Sequence, residues 1–105
     1  MANRSRSTLK TYNLEFHELA LKEWKKLDGS IKAQFQNALT KRLKSPHVPS
    51  AKLHGELQNT YKIKLRDVGY RLVYEVIDQK LVVMVIAIGR RDHNEAYVSA
   101  VKRHN

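Results

Sequence analysis

Cysteine is absent from all 105 residues, which excludes a disulfide framework, a thiol nucleophile and a thiolate metal site. Long apolar runs are missing too. The longest, Leu81 to Ile88, is short and rich in Val and Ile, so it reads as a strand and no membrane partner is expected. The four glycines form no phosphate-cradling loop, and no closely spaced histidines or clustered carboxylates stand ready to hold the magnesium ions that metal-dependent nucleases use. Neither metal nor cofactor is therefore expected. Glu23-Trp24-Lys25 matches a nuclease E-x-K in spelling only, because it falls in a helical pattern without its partner acid. The five histidines, His17, His47, His54, His93 and His104, are scattered.

Negative charge is the scarcer sign. Twenty Lys and Arg against ten Asp and Glu give a formal net charge of +10 and a pI near 10, an imbalance that points to a polyanionic partner, nucleic acid first. Residues 1–11 read as a basic, flexible arm that lacks the apolar segment of a secretory signal, so a cytoplasmic location is expected. Residues 12–105 read as one domain, since a chain of this length supports a single core.

Tyr12, Leu14 and Phe16 alternate as in a strand, and Ala20, Trp24 and Leu27 then recur at helical spacing. Asp28-Gly29-Ser30 offers a glycine to end that helix and a serine to cap the next, whose apolar positions are Ile31, Phe35, Ala38, Leu39 and Leu43. Together they predict an antiparallel helical hairpin. Its outer face would carry Lys22, Lys25, Lys26, Lys32, Lys41, Arg42 and Lys44 as a solvated surface. Ser45 to Thr60, with Pro46, Pro49 and Gly55, reads as a surface loop. Three strands follow in a meander, Tyr61–Leu65, Tyr70–Ile77 and Leu81–Ile88, the last two joined by a tight turn at Asp78-Gln79. A final helix spans about 94–103.

Alternation in the first of these strands puts Tyr61, Ile63 and Leu65 on an apolar face and Lys62, Lys64 and Arg66 on a cationic one. If Leu65 pairs with Tyr70 across a four-residue loop, Lys64 lies directly opposite Arg71. Like charges so placed repel in an ordinary sheet, so an anion is expected between them. Lys, Arg and Tyr suffice to cleave an RNA phosphodiester: one group takes the 2′-hydroxyl proton, others neutralise the phosphorane, and another protonates the leaving 5′-oxygen. Crowded cations would lower a lysine pKa and stabilise a tyrosinate.

These residues resemble a known family. Ala20 to Leu27, Lys52-Leu53-His54-Gly55, Tyr61 to Arg66, Gly69 to Tyr74, Val85 to Arg91 and Tyr97 match, in order, the RelE-type mRNA interferases of the RelE/ParE toxin–antitoxin superfamily, over Leu14 to Arg103. The resemblance implies an α+β fold: a helical hairpin packed on one face of a curved, mostly antiparallel four-stranded sheet, plus a C-terminal helix. It implies a toxin that cuts messenger RNA in the ribosomal A site without metal, leaving a 2′,3′-cyclic phosphate, and that a cognate antitoxin restrains. By position, the catalytic set would be Lys62, Lys64, Arg71, Arg91 and Tyr97. Tyr97 would orient the 2′-hydroxyl or act as its base, with Lys62 and Lys64 as rival bases. Lys64 and Arg71 would stabilise the phosphorane, Lys62 would help hold the phosphate, and Arg91 would protonate the leaving oxygen. Lys22, Lys25, Lys52, His54, Arg66, Arg90 and His93 would contact RNA, including small-subunit ribosomal RNA. Positions 54 and 93 usually carry arginine in close relatives, and here both are histidine. Two other functions fit parts of the pattern: a gyrase-binding toxin of the same superfamily, and a non-catalytic basic RNA-binding protein.

Overall fold

A computed structural model describes residues 11–55 and 57–104, so the expected N-terminal arm lies almost wholly outside the described residues. The first strand, β1 (Asn13–Phe16), leads into helices α1 (Glu18–Lys25) and α2 (Gly29–Lys44), and a 3-10 turn (Pro49–Ala51) interrupts the loop beyond them. Strands β2 (Thr60–Leu65), β3 (Tyr70–Ile77) and β4 (Val82–Arg90) follow, and α3 (Glu95–Arg103) closes the chain. Sheet order is β1-β4-β3-β2; only the β1–β4 pair is parallel, so the sheet is mixed and mostly antiparallel. Among the described residues no helix is long and apolar enough to cross a membrane.

The helical pair covers one face because α1 and α2 place Ala20, Trp24, Phe35 and Leu39 against Ile63, Leu72, Tyr74, Val83 and Val85. Trp24 bridges strand and helix, its ring 5.3 Å from Phe16 and 6.4 Å from Phe35. The opposite face differs from the expectation of a uniformly cationic surface. Part of it forms a second apolar cluster in which Ala96, Ala100 and Tyr97 of α3 pack on Val73, Met84, Ile86 and Ala87. Only the end of the sheet beyond α3 is left to the cations.

Three local expectations change. Asp28, not Ser30, caps α2: its carboxylate accepts from the Ser30 N–H at 3.2 Å and hydroxyl at 2.6 Å, while Gly29 becomes the first helical residue. Arg42 leaves the solvated face and turns inward, where its Nη1 donates to the Tyr74 hydroxyl at 2.9 Å and the Lys62 carbonyl at 3.2 Å. The β3–β4 connection is a 3-10 turn, Asp78–Lys80, closed by Leu81 in the left-handed region with φ 54°, longer than a two-residue turn.

Pairing along β3 and β4 slips between Val73/Tyr74: Val73 faces Ala87, but Tyr74 faces Val85. The bulge at Ile86 leaves Ile86 and Ala87 on the same side, in the cluster under α3, and returns Ile88 to the helical-pair side. One extra residue thus reverses the alternation downstream. Gly89 consequently faces α3, and Arg90 lies toward Tyr70.

Candidate active site

β2 and β3 pair in the register that the alternation predicts: Tyr61 with Tyr74, Ile63 with Leu72, Lys64 with Arg71 and Leu65 with Tyr70. The two cations are therefore cross-strand neighbours. The Arg91 N–H donates to the Gly69 carbonyl at 2.7 Å, tying the turn after β4 to the tip of this hairpin. Gly69 is suited to that tip because its φ is +71°, a region L side chains rarely occupy. Lys64, Arg66, Tyr70, Arg71 and Arg91 consequently line one open groove of about 320 Å³.

Arg71 is less solvent-facing than the alternation implies. Its guanidinium carbon lies 4.7 Å from the centroid of the Tyr97 ring, within cation–π range, and Nη1 donates to Asn94 Oδ1 at 2.9 Å. Nε is buried with no hydrogen-bond partner among the described residues. A dehydrated donor of this kind costs about 1–3 kcal/mol, and because it is sealed from solvent the Nη groups are left to meet an anion in the groove.

The Lys64 ammonium is exposed, and its pKa is lowered by desolvation and by the charges of Lys62, Arg71, Arg66 and Arg91. Tyr97 moves against the expected tyrosinate. Burial raises its pKa, and Arg71 opposes this only in part. The reason is the packing of α3, which seats the half-buried ring against the second apolar cluster and favours the neutral phenol. Within this groove the lysine is the group made easier to deprotonate.

The other named residues divide. Lys62 offers its carbonyl to Arg42, and its charge acts on Lys64. Arg90 does not line the groove; its guanidinium carbon lies 5.6 Å from the Tyr70 centroid and its Nε 3.6 Å from Asp92. Lys52 and His54 border a separate depression with Gly55, Gln58 and Asn59. Lys22 and Lys25 stand exposed on α1, in the helical layer. His93 ends the 3-10 turn Arg91–His93, and its side chain lies outside the described residues. Among the described residues no group of three His, Cys, Asp or Glu side chains could hold a metal ion.

Two relationships escape the sequence pattern. Asn94, which touches Arg71, carries only the weak signal of a cap-forming residue before a helix. Glu23, set aside as a false motif, accepts from the Ile88 N–H at 3.0 Å and pairs with Arg103.

Known proteins resemble this chain over most of its length. The family described as "ParE toxin of type II toxin-antitoxin system, parDE" matches residues 14–95. The mRNA interferase toxin RelE of Escherichia coli K12 is 51% identical over 92 residues, which cover 88% of this chain and 96% of the relative. A double arginine-to-alanine mutant of E. coli RelE in the free state superposes with a TM-score of 0.83 at 48% identity, covering 90% of this chain and 99% of that one. The toxin in the intact E. coli RelBE toxin–antitoxin complex gives a TM-score of 0.73 at 51% identity, covering 75% and 95%. With matching strands and helices, this identity and this coverage, the chain belongs to the RelE/ParE toxin family, among its RelE-like members.

Proposed function

We propose that the chain is the toxin of a type II toxin–antitoxin pair and acts as a ribosome-dependent endoribonuclease, cutting messenger RNA in the A site by metal-independent attack of the 2′-hydroxyl. The observation that carries this reading is the single groove in which Lys64, Arg66, Arg71 and Arg91 converge, with Tyr97 beneath Arg71. A phosphodiester entering it would meet donors on several sides. Lys64, with its lowered pKa, takes the 2′-hydroxyl proton. The Arg71 guanidinium, which lines the groove, binds the non-bridging oxygens as charge builds on the phosphorane.

Arg91 lies across the groove and supplies the proton to the departing 5′-oxygen. Tyr97, whose pKa burial raises, orients the sugar hydroxyl as a hydrogen-bond partner and leaves the role of base to Lys64. The products are a 2′,3′-cyclic phosphate and a 5′-hydroxyl. Lys62 strengthens the field at Lys64; Lys22, Lys25, Lys52, His54, Arg66, Arg90 and His93 contact RNA backbone and set the protein on the ribosome. Relatives of known structure in complex with antitoxin support a cognate antitoxin as protein partner, and the location of such a pair is the cytoplasm.

The ends of the cleaved RNA test the chemistry. Messenger cut on ribosomes should carry a 2′,3′-cyclic phosphate and accept phosphate on its new 5′-hydroxyl from polynucleotide kinase. A new 5′-phosphate would exclude 2′-hydroxyl attack.

A further inference from the structure

We infer that Asn94 is a positioning residue for Arg71: its amide oxygen holds the guanidinium over the Tyr97 ring, in the orientation that meets a phosphate in the groove. The inference rests on the functional reading above and adds a residue to it. Asn94 precedes α3 and occupies the N-cap position, where an asparagine normally accepts from the first-turn N–H groups. Here no side-chain cap bond forms. The Oδ1 atom instead accepts from Arg71 Nη1 at 2.9 Å, across 23 residues of sequence. A side-chain cap is worth about 0.5–2 kcal/mol over Ala, so the helix forgoes that local stabilisation while the side chain serves the groove.

Backbone geometry makes this placement deliberate. Asn94 lies at φ 55°, ψ 28°, a left-handed conformation that asparagine tolerates better than other side chains. Its N–H donates to the Arg91 carbonyl at 3.1 Å, and the Arg91 N–H is fixed to Gly69. One short turn therefore sets both groove arginines, Arg91 through its own backbone and Arg71 through Asn94. With one Nη on Asn94 and the plane on Tyr97, the guanidinium is held with its Nε sealed inside while Arg71 still lines the groove.

Asn94→Gly removes the acceptor and keeps the left-handed φ, so the turn survives. Three readouts follow. In 15N spectra, rotation about the Arg71 Cζ–Nε bond should be slow in the natural protein and in Asn94→Asp, which keeps an acceptor, and fast in Asn94→Gly. The Tyr97 phenol, followed by 13Cζ labelling and identified with Tyr97→Phe, should titrate at higher pH in Asn94→Gly, and should not move further when Asn94→Gly is added to Arg71→Ala. Single-turnover cleavage at saturating ribosomes should fall about tenfold or more in Asn94→Gly, with the ribosome concentration for half-saturation unchanged.

Fast rotation in the natural protein, an unmoved Tyr97 titration in Asn94→Gly, or a further shift in the Arg71→Ala background would overturn the inference. If the natural protein cuts no ribosome-bound messenger, the functional reading fails, while the rotation and titration readouts still decide the role of Asn94.

Discussion

Arg103 and Glu23 form a two-pronged ion pair, Nη1 to Oε1 and Nη2 to Oε2 both at 2.9 Å, that ties the end of α3 to α1 across the edge of β4. Its position follows from the shortness of β1, which pairs with β4 only from Val82 to Val85. Beyond Val85 the β4 edge needs other partners. Arg103 donates to the Ile86 carbonyl at 2.8 Å and Glu23 accepts from the Ile88 N–H at 3.0 Å, so the pair satisfies strand groups as well as each other.

With side-chain exposures of 13% and 30%, this pair is sheltered enough to matter. Glu23→Ala should destabilise the protein by about 2–3 kcal/mol, because it strands both a strand N–H and a guanidinium. The double variant Glu23→Leu, Arg103→Met should recover only part of that loss, since the Ile86 and Ile88 backbone groups stay unmatched. Urea unfolding of the two variants, compared by midpoint at equal slope, checks this.

A methyl group has no room at position 89. A Cβ on Gly89 would lie 2.6 Å from the Glu95 Cβ and 3.0 Å from the Ala96 nitrogen, neither of them a flexible side-chain end. Gly89→Ala should therefore cost about 1–3 kcal/mol and push the start of α3 off the sheet, lowering cleavage along with the thermal midpoint.

Stability should fall at both extremes of pH. Asp78 is held below the usual carboxylate range, first by the Tyr12 hydroxyl at 2.6 Å and then by His47 at 2.8 Å. A depressed carboxylate contributes fully above its unfolded value, about 3.9, and loses that contribution as pH falls through the folded value. Burial raises the pKa of Tyr74, so its contribution is complete below about pH 10 and is lost as pH rises from there through the folded value. Denaturant titrations across pH should show a flatter acid limb in Asp78→Asn and a flatter alkaline limb in Tyr74→Phe.

Arg66 contributes to the lowered pKa of Lys64. Arg66→Ala should raise the Lys64 pKa, seen in 13Cε titration, and shift the pH–rate profile for cleavage to higher pH. A profile that stays in place while the lysine moves would remove Lys64 from the role of base.

The hairpin register was legible because Tyr61, Ile63 and Leu65 alternate with Lys62, Lys64 and Arg66, and a one-residue slip would bury the charges. The bulge at Ile86 was not, since Val82 to Ile88 is apolar throughout and carries no parity to break. Arg42 and Glu23 look like surface charges at helical spacing; only the third dimension brings Tyr74 and the β4 edge within their reach. Asp28 and Ser30 are both good caps, and the choice between them turns on one turn's geometry. The Tyr97 pKa depended on how deeply α3 seats that ring, where burial outweighs the attraction of Arg71. Of the five residues picked by type, Lys64, Arg71 and Arg91 line the groove, whereas Lys62 and Tyr97 do not and Tyr70, which does, carried no signal.

The most direct test uses ribosomes stalled with an open A site on a defined messenger. Ends are mapped after incubation with the natural protein, Arg71→Ala and Arg91→Ala, and with the same messenger free of ribosomes. The natural protein should cut within the A-site codon, each variant should lose at least about 100-fold of that cleavage, and the free messenger should stay intact. Full cleavage by Arg71→Ala and Arg91→Ala, or no cut in the A site by the natural protein, would contradict this mechanism.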